Sequence, residues 1–500
     1  MHKGESKSSA ANYRPVALTS HIVKLFEKVV RTKIVKYMEE NNKFNENQHG
    51  FRAGRSCLSE LLAHYDDIIN MLEAGVPVDT VYLDFSKAFD KVDHQRLLEK
   101  LSSTGIGGKL GRWIQSFLTQ RKQTVLVNKT FSNEVDVVSG VPQGSVLGPL
   151  LFIIMINDID STIINSKVRS FADDTRATKG VTNVREASEL QSDLEEIYDW
   201  ANINRMSFND TKFEVMRYRL KQNPIQDFAS YTDSSGRVIQ EKEHIRDLGV
   251  TMSNDTSFKA HVKKTTESVR NLAGWILRTF RTRDKQTLLT AWKTLVLPIH
   301  DYCSQLWSPF RISEISELEA IQWNFIRKIR CTRLDDYWDA LNKLGLYSLE
   351  RRRDRYRVIY LWKSLEGMVP SLGLQSKWNP RRGRIVDAVK ISKDAPAWVQ
   401  QAKLHSFKHQ AVQIWNLLPK YIRDTTNVSV DTFKSKLDRY LQTIPDQPRI
   451  PSMTSQCLTT SNCLQSFIPF SEAERIRSGN RHIDAENDHN QGGATQTSLH

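Results

Sequence analysis

The sequence predicts an α+β core followed by an all-helical region. Up to residue 257, apolar patterns of period two and period 3.6 interleave without the regular strand–helix alternation of a doubly wound sheet. From residue 258 the period-two patterning stops, and only helical spacing rich in Lys, Arg and Trp continues. The chain has 500 residues, too many for one small core, and such a length suggests roughly two to four structural units.

The elements follow in order. Residues 1–11 are polar and expected to be disordered. Over 22–40 the residues Ile22, Leu25, Phe26, Val29, Val30, Ile34, Tyr37 and Met38 recur at helical spacing. A Gly- and Arg-containing loop spans 45–56, and 57–72 is again helical. Residues 78–85 read as a strand that runs into Asp84. Helices are expected over 94–101 and 110–118, separated by the 105–108 turn. Two strands, 124–127 and 135–138, read as a hairpin. Gly140-Val141-Pro142-Gln143-Gly144 breaks that pattern and opens an apolar helix ending near Ile156. Strands over 167–172 and 176–178 flank Asp173-Asp174, and a long amphipathic helix covers 184–205. Beyond 258, helices are expected over 258–280, 285–297, 312–330, 349–367 and 397–440, with a Pro/Gly-containing basic segment at 370–384. From 443 the composition shifts to Ser, Thr, Asn, Gln, Asp and His, the signature of a disordered tail.

Composition narrows the function classes. Hydrophobic residues make up 39% and charged residues 26%, so the chain can bury cores and stay soluble. A formal charge of +14 favours a polyanionic partner, nucleic acid or an anionic surface. No apolar run approaches the ~18–20 residues that cross a bilayer, so no membrane partner is expected. Met1-His2-Lys3-Gly4-Glu5 lacks a hydrophobic segment of the secretory kind, and no targeting signal is visible. The five cysteines are few and scattered, which fits an intracellular setting, nucleus or cytoplasm, with no disulfide-linked partner. Cys457 and Cys463 with His482 and His489 make only a weak zinc-knuckle candidate, because five residues separate the cysteines and the histidines are remote.

Chemistry concentrates at two places. Val81-Tyr82-Leu83-Asp84 ends an apolar strand on a carboxylate, an expensive arrangement unless something positive neutralises it. Phe171-Ala172-Asp173-Asp174 sets two adjacent acids in a tight turn, where a divalent cation relieves their repulsion. Three carboxylates brought together from two strands are the minimum apparatus for a two-metal phosphoryl transfer. Singly, each feature is weak: Asp-Asp on a hairpin is commonly a solvated turn, and an Asp ending a strand is commonly a helix cap.

Their company is specific. The chain shows Asn12-Tyr13-Arg14-Pro15-Val16-Ala17-Leu18, Gln48-His49-Gly50-Phe51-Arg52, the Asp84 segment, Ser139-Gly140-Val141-Pro142-Gln143-Gly144-Ser145, Phe171-Ala172-Asp173-Asp174, Met206-Ser207-Phe208-Asn209-Asp210-Thr211-Lys212 and Asp247-Leu248-Gly249-Val250. In this order and spacing the set resembles the reverse transcriptase of a non-LTR (LINE-type, Jockey-like) retrotransposon. The resemblance covers 12–250, and less specifically the helical region to about 440. It implies a right-hand polymerase, with fingers and palm over 12–257, a helical thumb over 258–310, a basic helical region over 311–442 and the tail over 443–500.

The resemblance also implies roles. Asp84, Asp173 and Asp174, with the Phe85 carbonyl, would hold two Mg²⁺ or Mn²⁺ ions. Phe89 would sit beneath the incoming sugar and exclude a 2′-hydroxyl; on its own it reads as a core aromatic. Gln143 and Gly144 would meet the dNTP, the glycine through close backbone approach. Arg52 would neutralise the triphosphate with forked bonds, against the alternative of a solvated surface arginine. Lys212 would protonate the departing pyrophosphate, or else be an ordinary exposed lysine. Leu248 and Gly249 would belong to a primer-grip hairpin. Among the cations after 258, notably Arg278, Arg281, Arg283, Arg327, Lys328, Arg330 and the 351–357 run, about half are expected to be solvated helix faces and the rest to track phosphates.

The expected partners are an RNA template, a DNA primer and dNTPs. The expected activity is RNA-directed DNA polymerisation. A group II intron-type enzyme and an inactive element remnant that only binds RNA or duplex remain as alternatives. Relative to the family, no endonuclease domain precedes the polymerase motifs, and the chain looks amino-terminally truncated. Phe171 stands where the family usually carries Tyr.

Overall fold

The computed structural model describes residues 13, 16–127, 129–220, 230–333 and 335–446. The expected disordered amino-terminus, Asn12, Arg14 and Pro15 of the first motif, and Cys457, Cys463, His482 and His489 lie outside the described residues. The chain forms two compact units, Met1–Ala260 with Ser392–Ala402, and His261–Ile391 with Lys403–His500. The stretches expected as thumb and as carboxy-terminal region fall within one unit, and 392–402 returns to the first, which nothing in the sequence announced.

A five-stranded sheet organises the first unit. Its order is Lys167–Phe171, Asp174–Gly180, Val78–Leu83, Glu214–Tyr218, Gln240–Glu241. The first four run antiparallel and the last pair is parallel. The strands over 214–218 and 240–241 are absent from the sequence expectation, because such short segments offer too few residues to show a period.

Strand alternation sorts the side chains. Val81, Leu83, Val168, Ala177 and Val215 join one core with the helix Gly148–Ile156 and the helix Val184–Ile203. Gly148–Ile156 is apolar all round and almost wholly buried, as suits a helix inside a core. On the opposite face, the helix Cys57–Glu73 brings His64 against Tyr82 and Glu60 against Arg176. A reciprocal Ser56–Ser59 capping box starts that helix.

Two local expectations are corrected. In the first helix, His21–Glu40, Leu25 and Phe26 of the expected apolar face are exposed, whereas Glu27 is buried. Val135–Val137 pairs with Arg121–Gln123 rather than with 124–127, while Leu126–Val127 turns back onto Thr130–Phe131.

In the second unit the helix Leu349–Leu365 is central, packed by Ser304–Trp307, Ile312–Ile326, Phe407–Leu417 and Val430–Leu441. Trp292, Trp307, Trp362 and Trp415 are fully buried, and Trp362 stacks on Phe433 at 4.3 Å.

The arginine run is neither a solvated face nor a phosphate track. Arg351 donates to the carbonyls of Leu441, Ile444 and Pro445, and Arg352 forks onto Asp301. Arg353 reaches Ser308, Arg355 forks onto Asp438, and Arg357 pairs with Asp354. Except for the Arg357–Asp354 pair within the helix, these guanidinium groups tie it to neighbouring segments. The packed chain also outlasts the boundary expected at 443: Ile444 is buried, and Asp446 accepts hydrogen bonds from the backbone and hydroxyl of Ser348 at 2.7 and 2.6 Å. Nor is the region all helical, since Ser376–Asn379 and Gly383–Val386 form an antiparallel hairpin.

Candidate active site

The register of the central strand assembles the carboxylates. Leu83 stands opposite Thr175, so Asp84, the next residue, comes level with Asp174. Tyr82 stands opposite Glu214 on the other neighbour, which brings Asp84 level with Lys212. The Lys212 Nζ lies 3.0 Å from Asp84 Oδ2. The segment before Lys212 runs alongside: Asn209 N–H donates to the Asp84 carbonyl at 2.7 Å, and Ser86 N–H to the Ser207 carbonyl at 2.8 Å. Phe85 pairs with Phe208 in an isolated bridge and stacks on its ring at 4.4 Å, so its side chain belongs to the core and only its backbone faces the site.

Asp173 sits on the two-residue turn Ala172-Asp173 between Phe171 and Asp174, Asp174 opens the next strand, and Ala172 is at φ +56°. The Gln48 side chain holds that turn, its Oε1 accepting the Ala172 N–H at 2.9 Å and the Gly50 N–H at 2.7 Å. Backbone bonds His49 N to Ser170 O and Ser170 N to Asn47 O, both 3.0 Å, fix the same approach. A Cβ on Gly50 would lie 2.4 Å from Ala172 N, which explains a glycine there. Crowding raises the Asp174 carboxyl to about 6. Loss of hydration contributes most, although the side chain keeps access to solvent, and the Asp173 and Asp84 carboxylates add to it. Arg176 and Lys212 pull the other way.

The residues expected to meet the nucleotide form a second group. Phe89 is half-buried in the short turn Ala88–Asp90, stacked on Phe152 at 4.3 Å and edge-on to Phe51 at 6.1 Å. Gln143 Nε2 donates to Asp90 Oδ1 at 2.7 Å, and the Gln143 carbonyl accepts from Ala17 N at 2.7 Å, which links the first motif to the fourth. Gly144 is exposed at φ +99°, its missing Cβ position 2.9 Å from the Ala17 carbonyl. Behind this loop the buried Glu27 accepts the N–H groups of Val146 and Leu147 at 2.7 and 2.9 Å.

Leu248 and Gly249 form the two-residue turn of the hairpin His244–Asp247/Val250–Ser253, both at positive φ, 45° and 86°. A cleft of about 330 Å³ runs between this hairpin and the sheet end, lined by Asp84, Asp174, Lys212, Arg246, Leu248 and Gly249 among others. The hairpin is anchored from below by Arg176, which is buried and bonds both Asp247 and Glu60, the latter at 2.8 Å. His49 lies 3.3 Å from Glu60, but burial and then Arg55, Arg169 and Arg176 lower its pKa to about 3, so it approaches Glu60 as a neutral ring.

Arg52 departs from expectation. Its side chain is only 5% exposed, donating to Asn45 O at 2.7 Å and Glu39 Oε2 at 3.1 Å over the Phe44 ring. Its fork is engaged by Glu39 and the Asn45 carbonyl. Sequence reasoning missed Glu27, Glu60 and Arg176, and it quoted Gln48 and Asp247 within motifs without giving them a role. Glu27 and Glu60 could have been flagged, since each interrupts an apolar helical stretch with a carboxylate that needs partners.

Among the described residues, no group of three or more His, Cys, Asp or Glu side chains stands in ready-made metal-holding geometry. The donor set still fits a hard divalent cation: it is all oxygen, and the mutual repulsion of its acids already shows at Asp174. No helix among the described residues is long and apolar enough to cross a membrane.

A mixed sheet whose central strand ends beside one acid, whose neighbouring turn and strand start carry two more, and whose flank carries a lysine has the layout of a polymerase palm. The chain belongs to the reverse transcriptase (RNA-dependent DNA polymerase) family, which matches residues 2–252. It is 27% identical over 383 residues to the probable RNA-directed DNA polymerase from transposon X-element of Drosophila melanogaster, covering 71% of this chain and 41% of that protein. It is 26% identical over 337 residues to the RNA-directed DNA polymerase from mobile element jockey of Drosophila funebris, covering 65% and 36%. Within the family it is related to these non-LTR retrotransposon proteins, and it spans about two-fifths of their length. Among solved structures it is similar to apo telomerase from Candida tropicalis, with 9% identity, 69% of this chain and 54% of that one covered, and a TM-score of 0.39.

Proposed function

We propose that this chain is an RNA-directed DNA polymerase that extends a primer 3′-hydroxyl with dNTPs on an RNA template. The single observation that carries the reading is the convergence of Asp84, Asp174 and Lys212 at one sheet end, fixed by strand register beside the Leu248–Gly249 hairpin. Asp84, Asp173 and Asp174, with the Phe85 carbonyl, would hold Mg²⁺ or Mn²⁺. The metal would lower the pKa of the attacking hydroxyl and offset charge on the leaving pyrophosphate.

The protein groups do the rest. Lys212, bonded to Asp84, stands ready to release that bond and give its proton to the leaving phosphate oxygen. Phe89 stacked on Phe152 is a rigid wall against a 2′-hydroxyl, favouring deoxynucleotides. Gln143, oriented by Asp90, offers an amide to the nascent pair, and exposed Gly144 lets the nucleotide approach backbone. Leu248 and Gly249 support the primer end. Arg52 would serve the triphosphate only after leaving Glu39.

Primer extension on an RNA template with Mg²⁺ tests this, with Asp173→Ala as the control. The expected outcome is dNTP incorporation by the natural sequence and none by the variant. Folded protein that retains nucleic acid in a salt-dependent way yet incorporates nothing would instead identify a binding-only remnant.

A further inference from the structure

We propose that the hairpin Ser376–Asn379/Gly383–Val386 is a second nucleic-acid site, which takes a single strand by stacking a base on Trp378 and holding phosphates with Arg381 and Arg382. It rests on the nucleic-acid partner that the family implies, not on catalysis at the Asp84 cleft, and uses residues of the second unit alone.

A two-stranded ribbon is marginal by itself. Here its base is bolted down. Trp415 Nε1 and Arg423 Nη1 both donate to the Arg384 carbonyl at 3.2 Å. Asn416 brackets Val386, accepting its N–H at 3.1 Å and donating to its carbonyl at 2.8 Å. The Arg384 guanidinium is buried against Glu366 and the Leu365 carbonyl. Gly383, at φ +78°, has no room for a side chain, since a Cβ would lie 2.3 Å from Asp424 Oδ1.

The tip is equally set. Asn379 Oδ1 accepts the N–H groups of Arg381 and Arg382, both at 2.9 Å, and Lys420 donates to the Pro380 carbonyl at 2.8 Å. Asn and Pro in succession are the residues such a turn demands.

What this rigid mount presents is specific. Trp378 is 60% exposed, and Tyr421 nearby in sequence to Lys420 is 53% exposed. Arg381 and Arg382 are exposed, and among the described residues their guanidinium groups have no acidic partner. The acids around the hairpin are already engaged: Glu366 by Arg384, Asp424 by the Arg384 N–H, Asp387 by Lys377 at 3.0 Å. The tip is therefore cationic with an open aromatic face. Arginine beside an accessible indole suits phosphate beside an unpaired base; a duplex hides its base faces and would leave Trp378 unused.

The test uses the full chain without Mg²⁺, so that no synthesis intervenes, and labelled short oligo(U), oligo(dT) and a blunt duplex as probes in fluorescence anisotropy. Trp378→Ala and the pair Arg381→Ala/Arg382→Ala should each weaken single-strand binding about fivefold or more, with Trp378→Phe retaining most of it and duplex affinity unchanged within about twofold. Comparison of oligo(U) with oligo(dT) tells an RNA site from a DNA site. A photo-crosslinked 5-bromouridine oligonucleotide should leave its adduct within 376–386. The proposal is overturned by unchanged single-strand affinity in both variants, by an equal loss on the duplex, by adducts only elsewhere, or by variants that lose binding to phosphatidylserine vesicles alone. Thermal melting checks that the variants fold. Failure of primer extension in the magnesium assay would leave this binding result standing, so the two readings fail separately.

Discussion

At Asp174 three carboxylates share one sheet end with a single lysine, and the geometry leaves the acids under-compensated. Without a bound cation the ionised Asp174 is therefore a cost to the fold. Asp174→Asn removes one negative charge without changing shape, and should raise the melting temperature of metal-free protein at neutral pH. Because the side chain keeps contact with solvent, screening holds the gain to about 1 kcal/mol or less. The same variant should lose the stabilisation that added Mg²⁺ gives the natural sequence, and should lose primer extension. Melting curves with and without Mg²⁺ check this. If both proteins respond alike to the ion, Asp174 is not among its ligands. Asp84, Asp173 and Asp174 could be picked out because acids at a strand end and in a turn, weak signals singly, fall in an ordered set of motifs, and Lys212 only through the motif that it ends. The holding roles of Gln48 and Arg176 could not, since an amide and an arginine carry no such signal until the turn and the hairpin they hold are seen.

Among elements, the strand ending at Asp84 was legible because the β-rich run Val81-Tyr82-Leu83 stops on an acid, and Gly148–Ile156 because it is apolar throughout. The strand Glu214–Tyr218 was not, although it completes the site by aligning Lys212 with Asp84. The hairpin at Leu248–Gly249 could be anticipated from its motif, but not the device that holds it. Asp247 pairs with Arg176, which also pairs with Glu60 on a helix of the opposite sheet face. Replacing Arg176 by Leu strands two buried carboxylates and should cost ~3–5 kcal/mol of stability. Removing both ends together, Arg176→Leu with Asp247→Leu, should recover part of that loss, because one fewer unpaired charge remains. Equal destabilisation by the single and the double variant in urea unfolding would show that the pair does not act as a unit.

For the whole molecule, the excess of basic residues announced a polyanionic partner but not where its charge is used. The 351–357 run, the densest cluster of arginines, is spent on internal ties, so sequence charge overstates the available surface. The same packing buries histidines that water would otherwise protonate. In the second unit, burial and then Arg353 and Arg352 hold His300 at about 3, and among the described residues neither ring nitrogen has a hydrogen-bond partner. In the first unit His49 is likewise held at about 3 by burial and Arg55. Both are depressed below the ordinary value of 6.5, so between pH 6.5 and 3 the unfolded chain binds protons that the folded chain refuses. Stability should thus be fully present above pH 6.5 and fall as pH drops, by up to ~1.4 kcal/mol per pH unit for each histidine. His300→Gln should flatten this dependence for the second unit while leaving the His49 contribution. Urea unfolding followed from pH 7.5 to 5 reads the slope directly, and a profile no steeper for the natural sequence than for His300→Gln would mean that His300 takes its proton within the fold.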